Sequence, residues 1–191
     1  GLSYTTPNVF TKNSAITALN PNVSGGTVLN YSISPALPLG LSFNTTNGVI
    51  SGVPFIVSPT TTYTVIATNS GGSTSFDFII TVNDVAPNTF SYPSPNVFTK
   101  NTSILNLLPS ITGTVLSYSI SPSLPLGLSF DTSSGVISGT PTVISDVTTY
   151  TVTALNSGGS TTFNVVITVN DIEPSGLSYL SPSAFTKNSA I

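Results

Sequence analysis

The side chains that could carry acid, base or nucleophilic chemistry are scarce in this sequence. It has no His and no Cys, and its six Asp and Glu residues are spread over 191 positions. Hydrolysis needs a positioned base, and glycoside cleavage needs two carboxylates with different roles. The two halves of the chain are alike but do not keep the same acids, because Asp77 in the first corresponds to Asn164 in the second. The sequence therefore predicts no catalytic residues and no enzyme activity.

Two short segments, VNDVAP (82–87) and VNDIEP (169–174), carry the acids that do recur. Asp84, Asp171 and Glu173 there offer the hard oxygen ligands that calcium prefers. Calcium takes about six to eight oxygens, however, and each segment supplies too few charged ones. The other interpretation is that Asn and Asp end a strand and begin a turn before Pro. We favour the turn, keep calcium as the alternative, and predict no other cofactor.

Three Lys residues occupy equivalent places in a repeated FTKN segment: Lys12, Lys100 and Lys187. A Lys close to an Asn can form an isopeptide crosslink when a buried acid lies beside the pair. The acids kept in both halves are Asp84 and Asp171, which lie at the predicted domain ends. We therefore interpret the Lys residues as solvated cations that discourage pairing at a sheet edge.

Aromatic side chains would have to be exposed to bind a carbohydrate. Four Tyr residues recur at positions that we predict to face inward: Tyr31, Tyr63, Tyr118 and Tyr150. Three more lie near the predicted domain junctions and could pack between domains: Tyr4, Tyr92 and Tyr179. Phe55, which is replaced by Thr142 in the second half, is the aromatic residue most expected to be exposed, and it does not make a site by itself.

Charge and hydropathy exclude two classes of partner. Charged residues make up 5% of the chain, far below the roughly 25% of typical soluble domains. With three Lys, no Arg and a net charge of -3, there is no basic surface to bind nucleic acid. No apolar run is long enough for this segment to insert in a membrane.

An internal repeat organises the chain. SYTTPNVFTKNSAI (3–16) returns as SYPSPNVFTKNTSI (91–104), an offset of 88, and again as SYLSPSAFTKNSAI (178–191). We predict two complete repeats and the truncated start of a third: 1–87, 88–174 and 175–191. We expect the parent protein to continue in both directions, and the tail 175–191 to pack on the second repeat or on another chain.

Alternating polar and apolar residues predict strands throughout. TVLNYSIS (27–34) puts Leu29, Tyr31 and Ile33 on one face. The segments around SGGS (70–73) alternate in the same way, with Tyr63, Val65, Ala67, Phe76, Phe78, Ile80 and Val82 inward, and SGGS suits a tight turn. Without any helical periodicity, the pattern favours an all-β fold of about seven strands per repeat in a two-layer sandwich.

The longest conserved piece of the repeat is LPLGLSFNTTNGVISGVP (37–54), which returns as LPLGLSFDTSSGVISGTP (124–141) with four changes. We interpret it as a hairpin with apolar residues facing the core, a capped turn and a glycine at positive φ: Leu41, Phe43, Asn44 or Asp131, Gly48 or Gly135, and Ile50 or Ile137. Its apolar and glycine positions therefore explain themselves without a ligand.

This motif, followed by TYTVIATNSGGS and an ITV strand, resembles the tandem immunoglobulin-like repeats of very large bacterial surface proteins. PSGLSY together with FTKN is similar to the giant gliding-motility adhesins of the SprB type. The resemblance implies immunoglobulin-like or cadherin-like sandwiches joined end to end in an extracellular, cell-surface stalk. Their partners would be neighbouring repeats of the same chain, with an unknown surface or glycan bound at a distal tip.

Two other roles remain open. The chain could be a subunit of an extracellular filament, in which 175–191 adds a strand to another copy. The repeats could also bind a glycan or a surface directly, which would need an exposed aromatic or charged cluster that the sequence does not reveal.

Overall fold

The computed structural model describes residues 1–178 and Lys187, and within this part the chain is all β and contains no helix. The predicted third segment, 175–191, lies mostly outside the described residues. The strands of the first repeat are β1 (Leu2–Ser3), β2 (Asn8–Thr11), β3 (Asn22–Val23), β4 (Asn30–Ser34), β5 (Leu41–Phe43), β6 (Ile50–Gly52), β7 (Ser58–Asn69) and β8 (Gly72–Asn83). Those of the second are β9 (Asn88–Ser91), β10 (Asn96–Thr99), β11 (Ser110–Thr112), β12 (Ser117–Ser121), β13 (Leu128–Phe130), β14 (Ile137–Gly139), β15 (Ser145–Asn156) and β16 (Gly159–Asn170).

A four-stranded sheet forms one layer of each repeat, in the order β2-β8-β7-β4 and β10-β16-β15-β12. Its centre is the predicted long hairpin, β7 with β8, whose turn is closed by Gly72 at a φ of 136°. The first strand of this sheet, β2, pairs parallel with the last, β8, from Asn8 opposite Ile80 to Thr11 opposite Asn83. The beginning and the end of each repeat are therefore neighbours in one sheet.

Short strand pairs form the opposite layer. In the first repeat these are β1 with β3 and β5 with β6, extended by a bridge between Leu19 and Ile50. The second repeat has the equivalent pairs, β9 with β11 and β13 with β14, and a bridge between Leu107 and Ile137. Each repeat thus has eight strands, close to the seven expected.

The core lies between these layers. Both layers contribute buried side chains in the first repeat: Leu2, Tyr4, Leu19, Tyr31, Ile50, Tyr63, Val65, Ala67, Phe78, Ile80 and Val82. The expectation for Leu29 was wrong, because this side chain is 69% exposed while Val28 packs against the core. The alternation does not reach Leu29 because β4 begins only at Asn30.

The motif hairpin has the predicted form. Leu41 lies opposite Gly52, and Phe43 lies opposite Ile50. Asn44 Oδ1 caps the turn by accepting hydrogen bonds from the N–H groups of the second and third residues after it, at 2.8 and 3.2 Å. Asp131 makes the same two contacts in the second repeat, at 2.8 and 2.9 Å. The hairpin is a folding element that closes the core of each repeat.

Candidate functional site at the repeat junction

Asp84 lies where the two repeats meet. One carboxylate oxygen accepts a hydrogen bond from the hydroxyl of Thr114, in the second repeat. The other accepts from the N–H of Val85 at 2.9 Å and lies 3.7 Å from the Lys12 nitrogen, in the first repeat. The Thr114 hydrogen bond holds the pKa of Asp84 below its usual value; partial burial opposes this, while the Val85 N–H and Lys12 lower it further. Asp84 therefore connects both repeats through its charged form.

Two loops of the second repeat hold the segment 84–87. The N–H of Asp84 donates to the Ser157 hydroxyl at 2.9 Å. The buried Asn156 amide donates to the carbonyl oxygens of Val85 at 2.7 Å and Thr114 at 2.9 Å. Every one of these contacts, apart from the second Asn156 bond, joins one repeat to the other. The segment between the repeats is therefore fixed by specific hydrogen bonds.

Backbone packing closes the same junction. A Cβ atom added at Gly158 would lie 2.0 Å from the Asp84 carbonyl oxygen and 2.8 Å from the Ala86 nitrogen. Such distances are far shorter than any real Cβ contact, so only glycine lets the backbone at 158 approach the segment 84–86 this closely. Pro87 is buried beside Gly113, where an added Cβ would lie 3.4 Å from the Pro87 Cα.

The equivalent end of the second repeat has an exposed counterpart. Asp171 lies 3.9 Å from the Lys100 nitrogen and accepts from the N–H of Ile172 at 2.8 Å, as Asp84 does in the first repeat. Its side chain is 65% exposed, against 17% for Asp84. Glu173 and Pro174 are exposed as well. The difference in exposure shows how much of the Asp84 side chain is covered by the contacts with the second repeat.

The predicted calcium ligands are not brought together as a set. Among the described residues there is no group of three His, Cys, Asp or Glu side chains that could hold a metal ion. The oxygens of Asp84 already accept hydrogen bonds from Thr114 and Val85. Calcium at Asp84, or at Asp171 with Glu173, stays a prediction, and the turn interpretation accounts for the contacts of both Asp residues.

The pairing of Lys with Asp was not predicted from the sequence. The backbone N–H of Lys12 donates to the Asn83 carbonyl at 2.8 Å, which continues the parallel pairing of β2 with β8 and sets Lys12 beside Asp84. Lys100 is held in the same way beside Asp171. Lys and Asp recur at equivalent places in both repeats, and this was the available signal for the ion pair. It predicts the pair only when β2 is known to run parallel to β8, because that pairing brings the two residues together.

The junction Tyr residues do not pack between domains, which corrects the expectation for Tyr4 and Tyr92. Both are buried in the core of their own repeat, where their hydroxyls donate to the carbonyl oxygens of Gly48 and Gly135 at 2.6 Å. Burial raises the pKa of both Tyr hydroxyls. Tyr179 lies outside the described residues. The expectations for the other Tyr residues were right, since Tyr31, Tyr63, Tyr118 and Tyr150 are all buried.

Two β-sandwiches joined by fixed contacts define an array of tandem immunoglobulin-like domains. The family model described as "Putative Ig domain" matches twice, over residues 2–83 and 85–170, so the chain belongs to that family. No curated protein matches the chain. Within the described part, no helix has the length and apolar character needed to cross a membrane.

Solved structures share the fold at low sequence identity. Extracellular domains 3–5 of Drosophila OTK are 17% identical over 89% of this chain and 62% of that one, with a TM-score of 0.54. The first eight immunoglobulin domains of Down Syndrome Cell Adhesion Molecule are 14% identical over 89% of this chain and 24% of that one, with a TM-score of 0.53. The chain thus spans less than two thirds of the length of either neighbour.

Proposed function

We propose that the chain is part of the stalk of a large bacterial cell-surface adhesin, in which tandem repeats hold a distal adhesive region away from the cell. Membership of the immunoglobulin-like family and the end-to-end junction support this role. The resemblance of PSGLSY and FTKN to gliding-motility adhesins of the SprB type makes gliding motility the specific setting. An extracellular location is part of the same proposal.

The observation that carries the proposal is the parallel pairing of the first and last strands of each main sheet. Four residue pairs join β2 to β8, and four join β10 to β16. When a chain is pulled from its two ends, parallel neighbours are drawn in opposite directions along their length. Their hydrogen bonds then bear the force together instead of breaking one at a time. This arrangement suits a spacer that must resist extension.

Force spectroscopy on the full chain, held at its two ends, tests this role. We expect two separate unfolding events, each releasing roughly 300 Å of chain, because about 87 residues extend by ~3.5 Å apiece. Lys12→Pro should lower the force of one event only, because Pro cannot donate the hydrogen bond that the Lys12 N–H makes to the Asn83 carbonyl at the end of β8. Lys100→Pro is the matched variant, since the Lys100 N–H donates to the Asn170 carbonyl at the end of β16. Unchanged forces in both variants would contradict the proposed shear geometry.

The location is tested on cells. Antibodies raised against this chain should label intact cells of the bacterium that makes the parent protein. Labelling that requires lysis would contradict a surface stalk. Strand addition by 175–191 to form a filament stays a prediction, because that segment lies mostly outside the described residues. Direct binding of a glycan or surface by the repeats also stays a prediction, although Phe55, at 53% exposed, is the kind of side chain that it would use.

A further inference from the structure

The second repeat holds the segment 84–87 with a set of groups that recurs in the first repeat, at the end that faces away from the second. We call the set in the first repeat, Thr27 and residues 69–72, the socket. Five socket residues are identical in type to their counterparts at the junction: Thr27 to Thr114, Asn69 to Asn156, Ser70 to Ser157, Gly71 to Gly158 and Gly72 to Gly159. Hairpin formation alone requires neither a Thr 42 residues before the Asn nor a Ser after it. The two repeats therefore share the residues that make contacts at the junction, and not only those that form the hairpin turn.

The socket already has the internal hydrogen bonds of its occupied counterpart. The Asn69 amide donates to the Thr27 carbonyl at 3.1 Å, as Asn156 does to Thr114 at 2.9 Å. The Gly71 N–H donates to Asn69 Oδ1 at 2.9 Å, against 2.8 Å for Gly158 and Asn156. The side chain that would bind a docking segment is thus held in place before any segment arrives.

Space is left where the docked segment would lie. A Cβ atom added at Gly71 would meet only Asn69 Oδ1, at 3.3 Å, and one added at Gly72 would meet nothing within 4 Å. A pocket of about 290 Å³ opens beside Asn69, Gly71 and Gly72. Asn69 is half-buried, whereas Asn156 is buried under the docked segment.

One detail differs between the two ends. The loop before Thr27 is one residue longer than the loop before Thr114, and its left-handed glycine is Gly25, with a φ of 112°. Gly113, with a φ of 98°, is the residue that lies against Pro87 at the junction. We therefore expect the socket to contact the Pro of a docked segment differently from the junction. Its contacts to the Asp of that segment should be the same.

We propose that the socket binds the last residues of another immunoglobulin-like repeat, a segment of sequence Asp-x-x-Pro that directly follows a β-strand. Thr27 would donate its hydroxyl to the Asp carboxylate, Ser70 would accept from the Asp N–H, and Asn69 would donate to the next carbonyl. The chain itself carries a segment of this chemistry at its other end, in residues 171–174, where Asp171 and Pro174 are exposed. The inference stands on the junction geometry and holds whether or not the array is an adhesin stalk.

An extended chain tests the proposal. An extra copy of residues 88–175 placed before Gly1 gives the new junction the same spacing from Asp to the following Tyr as the existing one. In residual dipolar couplings we expect one alignment tensor to fit the added repeat and the first repeat together. Free motion of the added repeat, while the first and second repeats share a tensor, would overturn the proposal.

Gly71→Ala is the informative variant. In the extended chain its Cβ would take the place of the docked Asp carbonyl, as the 2.0 Å distance at Gly158 shows, so the shared alignment should be lost. In the unextended chain the same change should leave the melting temperature within about 2 °C, because the added Cβ would meet only Asn69 Oδ1, at 3.3 Å, and a shift of a few tenths of an ångström in that side chain relieves the contact. Gly158→Ala is the matched control, which should separate the first repeat from the second in either chain.

A shared alignment that survives Gly71→Ala would show that the added repeat is held elsewhere, and would reject the socket. Should Gly71→Ala disturb folding in the extended chain, Thr27→Val removes only the hydroxyl that reaches the Asp carboxylate. That variant should weaken the shared alignment, and an unchanged alignment would again count against the proposal. None of these outcomes depends on the force or cell-labelling experiments, which test the stalk role separately.

Discussion

The hydroxyl groups of Tyr4 and Tyr92 are each the partner of a buried backbone carbonyl. Each joins the opening segment of a repeat to the glycine of its motif hairpin, 44 or 43 residues further on. The Tyr4 ring also stacks on Phe78, with 5.2 Å between centroids. These residues explain the recurring SY dipeptide: its Tyr fastens the opening segment of each repeat to the motif hairpin and does not pack between domains.

Removing one of these hydroxyls should destabilise one repeat. Tyr4→Phe leaves the Gly48 carbonyl buried without its donor, at a cost of about 1–3 kcal/mol in the free energy of unfolding. Tyr92→Phe should do the same to the second repeat. Urea unfolding of each variant, followed by amide signals from each repeat, measures the effect. A loss that falls equally on both repeats would contradict the assignment.

Stability should also decline in alkali. Burial raises the pKa of Tyr4, Tyr92 and Tyr118, whereas an unfolded Tyr ionises near pH 10. Above about pH 10 the unfolded chain therefore binds fewer protons than the folded chain, and the free energy of unfolding falls as the pH rises. Denaturant titrations between pH 8 and pH 12 should show this slope, and Tyr4→Phe should reduce it. An equal slope in the variant would remove Tyr4 as a cause.

Glycines in the motif hairpin allow backbone contacts that no other residue permits. A Cβ atom added at Gly40, where φ is 96°, would lie 2.0 Å from the Val53 carbonyl oxygen. Gly127 makes the equivalent approach to Thr140, also at 2.0 Å. The recurrence of the glycine in LPLGLSF is therefore a steric requirement of the hairpin and its flanking loop.

Substitutions of these glycines should be costly in one repeat. Gly40→Ala should destabilise the first repeat by more than about 2 kcal/mol, because strain at positive φ adds to a backbone clash. Gly72→Ala is the matched control, since its φ is 136° but nothing lies within 4 Å of an added Cβ. Thermal unfolding of both variants separates the cost of the backbone clash from the cost of the positive φ. Equal losses of stability in the two variants would mean that the structure shifts to relieve the clash at Gly40.

Local patterns predicted the hairpins but not the pairing of β2 with β8. The alternation in β7 and β8 and the SGGS turn contain their own register, because the two strands are adjacent in sequence. Asn8 and Ile80 are 72 residues apart, and nothing in FTKN or FDFIITV specifies a parallel neighbour. The predicted strand at 27–34 was too long at its start for the same reason, since tertiary packing decides where β4 begins.

The junction between repeats was the part of the molecule least visible in the sequence. NSGGS was already explained as a hairpin turn, so its second use, as the surface that holds residues 84–87, had no separate signal. The period of 87 to 88 residues was plain, because it needs only a comparison of the chain with itself. A residue that already has a role in a turn gives no separate sign in the sequence of a second role in a contact between repeats.

Acid should loosen this junction before it unfolds the repeats. The hydrogen bond from Thr114 lowers the pKa of Asp84, so the contact contributes stability above the unfolded pKa, near 4, and loses it as the pH falls through the folded value. Small-angle scattering between pH 7 and pH 2 should show the mean distance between the repeats changing while each stays folded. Asp84→Asn should show the looser state at neutral pH, and an unchanged profile would argue against the carboxylate.

The fixed position of the segment between the repeats also bears on how such an array resists proteolysis. Endoproteases cut where a stretch of chain can leave the surface and extend across an active-site cleft. Between β8 and β9 only residues 84–87 are outside a strand, and Asn156, Ser157 and Gly158 hold them down. Val85 and Ala86 are exposed, but these contacts keep their backbone from extending into a protease cleft, so we expect cleavage between the repeats only after the junction has opened.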